Sequence, residues 1–299
     1  MSYRLSKVPG SLAVGEWGDP GSPAVLAIHG ITANHLAWAA VARALPGFHV
    51  VAPDLRGRGG SRDLGGPYGM DVHAADLAAV LDHVGVRSAT VVGHSMGAFA
   101  ALVFGLRHPD RTDATVLVDG GLPLVLPPGL SVEDTLGPAA QRLTMEFADR
   151  AAYRQLWKAH PALSRAWNAD IEAYVDYDLV GEAPRLHSSA SHEAMAVDSA
   201  DLFGTGAIAA ALAALPAGTP LLTAPRGLLD ADPLYSPEEL ARWETRLPGI
   251  AAYEVADVNH YTILLGGDGA AAVADMVAAV TGRSGGGGRA AQRRAERLG

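Results

Sequence analysis

Short apolar runs recur through the first part of the chain, each closed by a polar, glycine-bearing loop. Ala24 to Ile28, Phe48 to Ala52, Ala89 to Val92 and Ala114 to Val118 are continuous rather than alternating. A strand buried on both faces has that pattern. Tyr3 to Lys7 and Leu12 to Trp17 predict an opening pair of strands joined at Pro9-Gly10. Between the later runs lie helical stretches: His35 to Leu45, a second from Asp71 as N-cap to about Val84, and Ala98 to Leu106. Strands alternating with helices predict a parallel sheet with crossover helices on both faces. Ligands of such sheets bind at the carboxyl ends of the strands. The informative residues therefore stand just after apolar runs: His29, Asp54, Ser95 and Asp119.

The rhythm stops at Leu122. From there to Leu215 no strand is predicted. A proline-rich loop (122–129) leads to helical patterns over 131–158, interrupted at Pro138, then 170–179, then 187–215 with breaks at Gly204 and Gly206. Aromatic residues gather here, among them Tyr153, Trp157, Tyr174 and Tyr177. An insertion at this point would roof the strand ends. The alternation returns with Pro220 to Ala224 and Ala251 to Ala256. Between them Ser236-Pro237-Glu238-Glu239 is a capping box with proline in the first turn, predicting a helix from Pro237 to about Arg246. A last helix is predicted over 269–281. The expected organisation is a core built from 1–121 and 216–282, a helical insertion over 122–215, and a flexible basic tail over 283–299.

Composition narrows the class. A chain of 299 residues that is 49% hydrophobic can build a sizeable core. The net charge of −9 argues against nucleic-acid binding. The tail departs from it, with five arginines against Glu296. The absence of cysteine excludes disulfides, a thiol nucleophile and thiolate metal sites. No metal-ligand spacing or phosphate loop stands out, so neither metal nor cofactor is expected. No apolar run reaches the roughly 18 residues of a membrane span. Residues 1–10 lack a signal-peptide core, so the cytoplasm is the expected location.

The chemistry centres on Gly93-His94-Ser95-Met96-Gly97, a Gly-x-Ser-x-Gly between a strand and a helix. A strand that turns sharply into a helix leaves no room for a Cβ on either flank of the serine. The helix then aims its unpaired N–H groups at the spot where an oxyanion would form. A serine hydroxyl needs a base, and the base needs a group that holds its tautomer. His260, after the last strand, is the candidate base. Asp230, after the strand at 220–224, is the first candidate acid, with Asp232 and Asp119 as alternatives. His94 should turn away from the hydroxyl, and Asp257 reads as a loop residue. Gly30 lets backbone approach a substrate, so the N–H groups of Ile31 and Met96 are the expected oxyanion donors, with His29 supporting the loop.

His29-Gly30, the loop from Pro53 to Ser61, Gly93-His94-Ser95-Met96-Gly97 and the late His260 together resemble the α/β-hydrolase superfamily, over about Tyr3 to Thr281. The resemblance implies an α/β fold: an eight-stranded, mostly parallel sheet flanked by helices, with a helical cap after the sixth strand. It also implies that Asp54, Arg56 and Ser61 organise a buried turn rather than react. Ala98 stands where many relatives have a further glycine, and the loop from Ala224 to Leu229 is not the commonest form of the acid loop. A serine at 95 sets the chain apart from the dehalogenase and epoxide-hydrolase branches, which carry aspartate there. The implied activity is hydrolysis of a carboxylic ester of a small or medium apolar molecule through an acyl-enzyme. A lactone, a thioester or a C–C bond beside a ketone could be cut by the same parts. A ligand-binding protein with little turnover, a cofactor-free oxygenase or perhydrolase, and an acyltransferase are the competing expectations.

Overall fold

The apolar runs form strands, and residue-by-residue alternation sends their side chains to two different cores. In β3 (Ala24–Ile28), Val25 and Ala27 pack on one face and Leu26 and Ile28 on the other. β4 (His49–Pro53) and β5 (Ala89–His94) divide in the same way. Period-two side chains with both faces buried explain why these strands read as unbroken apolar stretches. The coordinates are a computed structural model that describes residues 2–8, 12–125 and 137–282. The expected Pro9-Gly10 turn, the end of the proline-rich loop, the first part of the helix expected over 131–158, and the tail over 283–299 lie outside them.

β1 (Tyr3–Lys7) and β2 (Ala13–Trp17) are antiparallel to their neighbours. β6 (Thr112–Val118), β9 (Thr219–Thr223) and β10 (Ile250–Glu254) continue a parallel set. The eight strands lie in the order β1-β2-β4-β3-β5-β6-β9-β10. One core holds the sheet against α1 (Ala39–Ala44) and the C-terminal helix Gly267–Val280. The other packs α2 (Met70–His83) and α3 (Met96–Arg107) against the opposite face.

Between β6 and β9 the insertion is mostly helical: Gly137–Leu143, Arg150–Lys158, Ala169–Asp178, His192–Asp201 and Gly206–Ala213. Two features depart from the sequence reading. The insertion contains a hairpin, β7 (Leu179–Glu182) with β8 (Arg185–Ser188), where no strand is expected from the sequence. Its strands have four residues each, and Gly181 has φ +98°, so no period-two pattern survives to announce them. Asp71 is not the N-cap of α2; it sits in the first turn behind Gly69. The unpaired amides there are taken by the insertion: Gly69 N–H donates to Asp198 Oδ1 at 2.6 Å and Met70 N–H to Asp201 Oδ2 at 2.8 Å.

The insertion is tied to loops that follow the carboxyl ends of the core strands. Asn34 donates to Tyr174 O, Asn259 to Ala162 O, and Tyr177 to Asp54, at 3.1, 2.9 and 2.7 Å. Among the described residues no single helix is long and apolar enough to cross a membrane.

Candidate active site

Ser95 follows β5 with φ 55° and ψ −123°, a region that costs an L-residue steric strain. Its flanking glycines are a geometric necessity. A Cβ on Gly93 would stand 2.1 Å from Gly97 O, and one on Gly97 2.1 Å from Ile28 O. The turn is held by Ser95 N–H donating to Val118 O at 2.9 Å, which fastens the serine to the neighbouring strand β6. Ser95 is partly exposed while its neighbours on both sides are buried.

The residue that follows β6 is Asp119, fully buried, with φ +43°. Gly120 follows because a Cβ there would meet Ser95 O at 2.2 Å. Asp119 Oδ2 lies 2.6 Å from His260 Nδ1, and Oδ1 accepts from Ala224 N–H at 3.2 Å. With Nδ1 committed to the carboxylate, Nε2 is the nitrogen His260 can offer to a hydroxyl. His260 must reach back from beyond β10 across β9. It does so on a strand-like bridge, its N–H donating to Arg226 O at 2.9 Å.

The carboxylate on the imidazole is therefore Asp119, not Asp230. Asp230 Oδ1 accepts from Asn259 Nδ2 at 2.9 Å and pairs with Arg226 at 3.0 Å. It lines a cavity of about 280 Å³ with Arg226, Asp257 and Asn259, a cavity that neither Ser95 nor His260 lines. Asp232 is exposed on the same loop. Strand order gives the reason. β6 is the immediate neighbour of β5, whereas the loop bearing Asp230 leaves β9, one strand further out.

His94 has a place that spacing alone did not assign. It turns from the serine, and its Nε2–H donates to His260 O at 2.8 Å. Burial, and then the charge of His260, push it well below the ordinary histidine value. A neutral His94 thus clasps the backbone of His260. The signal was the variable position in Gly-x-Ser-x-Gly, which points across β6 toward the last loop.

On the other side of Ser95 lies the loop after β3. A Cβ on Gly30 would be 3.2 Å from Ser95 Cβ, so the Gly30 backbone packs closely against Ser95. His29 Nδ1–H donates to Gly30 O at 2.8 Å, and Leu55 N–H donates to His29 Nε2 at 2.9 Å. Both nitrogens are satisfied only by the neutral ring, and burial takes its pKa down to about 4. Fixing Gly30 O also fixes the Ile31 N–H, because the two belong to one trans peptide and point in opposite directions. Among the described residues that N–H has no acceptor. Met96 N–H is the first of α3, where no carbonyl of the helix can reach it.

The polar turn after β4 is structural. Asp54 accepts from His35 N–H and Nδ1 at 2.7 and 2.9 Å and from Gly60 N–H at 2.7 Å. Ser61 Oγ donates to Asp54 O at 2.7 Å, and Arg56 pairs with Asp76 at 2.6 Å. Arg58, fully buried, meets Asp198 of the insertion at 2.7 Å, and His73 joins the same carboxylate at 2.9 Å. Burial works against the Asp198 carboxylate, yet its bond to His73 and the charges of His73 and Arg58 hold it below the usual carboxylate range. Among the described residues no group of three His, Asp or Glu side chains is spaced to hold a metal ion.

A doubly wound sheet with a strained serine between strand and helix, and a buried His–Asp pair on the next loops, defines a fold class. A sequence profile described as alpha/beta hydrolase fold matches residues 23–170. The chain belongs to the α/β-hydrolase superfamily. It is 36% identical over 148 residues to the lipase LipV of Mycobacterium tuberculosis, covering 46% of this chain and 56% of that one. It is 41% identical over 107 residues to epoxide hydrolase A of the same organism, covering 34% and 33%. The aligned segments thus span about half or less of these curated relatives. Among solved structures, the thioesterase domain from the curacin biosynthetic pathway superposes with a TM-score of 0.69 at 25% identity, covering 93% of this chain and 98% of that one.

Proposed function

We propose that this protein is a serine hydrolase that cleaves a carboxylic ester of a small or medium apolar molecule. The observation that carries the reading is the buried pairing of His260 with Asp119, whose preceding residue, Val118, accepts through its carbonyl from the N–H of the strained, partly exposed Ser95. His260 Nε2 takes the hydroxyl proton as Ser95 Oγ attacks the carbonyl carbon. The carbonyl oxygen becomes an oxyanion and accepts from Ile31 and Met96 N–H. As the C–O bond breaks, His260 returns the proton to the leaving alcohol. Water, activated by the same imidazole, then releases the acid and restores Ser95. Asp119 keeps the ring in the Nδ1–H tautomer and stabilises its charged form. The insertion acts as a cap in this reading. Tyr261, centred 5.7 Å from the His260 imidazole, meets Trp157 and His160 of the insertion edge-on, which seats the insertion beside that ring. The likeness to a lipase and to a thioesterase domain supports acyl transfer to water, and a thioester would run through the same steps.

The test is a panel of p-nitrophenyl esters of increasing acyl length, each run on wild type and Ser95→Ala. The reading expects one chain length to be preferred and turnover to vanish in the variant. Activity that survives Ser95→Ala removes the nucleophile. A wild type that binds esters but does not turn them over leaves only a ligand-binding role.

A further inference from the structure

The Ile31 peptide has two carbonyls to hold it, one on each side. His29 holds Gly30 O, as described above. The other, Ile31 O, accepts from Arg58 Nε at 2.8 Å. The same guanidinium reaches Met96 Sδ through Nη2 at 3.9 Å. One buried side chain therefore touches both residues whose N–H groups face the developing charge.

Arg58 is itself anchored from two directions. Nη1 donates to Arg56 O at 2.8 Å within its own turn and meets Asp198 Oδ2 at 2.7 Å. Asp198 belongs to the insertion helix His192–Asp201, and its other oxygen accepts from Gly69 N–H at the start of α2. Both side chains of the pair are fully buried, so solvent does not weaken their attraction. The fork matters. A guanidinium offers several donors in one rigid plane, whereas an ammonium is a point charge that cannot serve spread acceptors at once.

We propose that Arg58 is a positioning residue for the oxyanion hole, and that through Asp198 it makes the geometry of Ile31 and Met96 depend on how the insertion is seated. The proposal rests on the serine-hydrolase reading and adds a residue that never meets substrate. Its expected signature is a transition-state defect, with ground-state binding largely kept, because the oxyanion exists only beyond the ground state.

The variant is Arg58→Lys, which keeps a positive charge for Asp198 and loses the reach to Ile31 O. Three quantities are measured: kcat and KM on the preferred p-nitrophenyl ester, Ki for an alkyl trifluoromethyl ketone, and thermal melting. The ketone adds to the serine as a tetrahedral oxyanion and so probes the hole directly. A misplaced donor can cost up to about a hundredfold, so kcat should fall by about ten- to a hundredfold with KM within about threefold. The ketone Ki should rise by the same factor as kcat/KM falls. Asp198→Asn, which leaves Arg58 on Ile31 O but removes its anchor, should show the same pattern more weakly. It serves as the test if the lysine variant does not fold. An unchanged ketone Ki in a folded variant overturns the proposal, whether or not kcat falls, because a merely structural role would leave oxyanion binding in proportion to substrate binding. Fluorophosphonate labelling of wild-type Ser95 separates the two levels: labelling with an unchanged Ki rejects only the role of Arg58, whereas no labelling rejects the hydrolase reading and this proposal with it.

Discussion

At the scale of single residues, the account turns on which carboxylate faces which nitrogen. Asp119→Asn should lower kcat/KM by about three to four orders of magnitude, because an amide on Nδ1 favours the wrong tautomer. Asp230→Asn should cost far less, since it only loosens Asn259 and Arg226. Ester kinetics on the two variants check this, and the opposite order would contradict it. The placement of Ser95 on a tight turn and of His260 after the last strand could be read from the sequence because their neighbours force them there: two glycines crowd one, and a strand end precedes the other. Which carboxylate meets His260 could not be read in the same way. Asp119 and Asp230 both follow a strand, and spacing carries no information on where a side chain turns. Both also share a positive φ, +43° and +59°, yet Asp119 meets His260 and Asp230 meets Asn259 and Arg226. His94 was missed as a clasp for the same reason: its role is visible only once the last loop is folded over β6.

At the scale of elements, the strands buried on both faces were read within a residue or two, since an unbroken apolar run is their direct consequence. The capping box at Ser236 was also legible, and the structure shows both of its reciprocal bonds. The hairpin at 179–188 and the start of α2 were not, because each depends on contacts with distant chain. β8 is fixed partly by Phe147, whose N–H donates to Leu186 O at 2.7 Å. The first turn of α2 is closed by Asp201, more than a hundred residues away. Asp201→Ala should therefore destabilise the fold by about 1 kcal/mol, like the loss of an N-cap. A melting point lowered by about 2 to 4 °C is the corresponding readout. No change in melting would place the amide's acceptor elsewhere. Gly97→Ala is predicted to be far worse, because its Cβ has no room beside Ile28 O. Soluble yield and circular dichroism should both collapse, and a folded, active variant would contradict the elbow geometry.

For the whole molecule, buried histidines should set its response to acid. His29 is neutral in the folded state with a pKa of about 4, against about 6.5 in an unfolded chain. Between those values the unfolded chain binds a proton that the folded chain does not. Stability from His29 is therefore complete above pH 6.5 and is lost as the pH falls toward 4, up to about 3 kcal/mol. His94, also depressed by burial, acts in the same direction. The carboxylates of Asp54 and Asp198, held low by their partners, add their loss only at lower pH. Urea midpoints at pH 7.5, 5.5 and 4.5 should fall in that order, and a flat profile would show that neither ring is kept neutral. The same burial that makes the fold acid-sensitive holds Gly30, Ile31 and the last loop around Ser95, so stability and site geometry share one set of contacts.

The most direct test of the central claim, a serine at 95 made nucleophilic by an imidazole held by Asp119, is the rate at which a fluorophosphonate modifies the protein, followed by intact mass and mapped by peptide. Wild type should gain one adduct on the peptide bearing Ser95. Ser95→Ala should gain none, and His260→Ala and Asp119→Asn should react about a thousandfold or more slowly, while Asp230→Asn reacts near the wild-type rate. An adduct on another residue, or equal rates in wild type and His260→Ala, would contradict it.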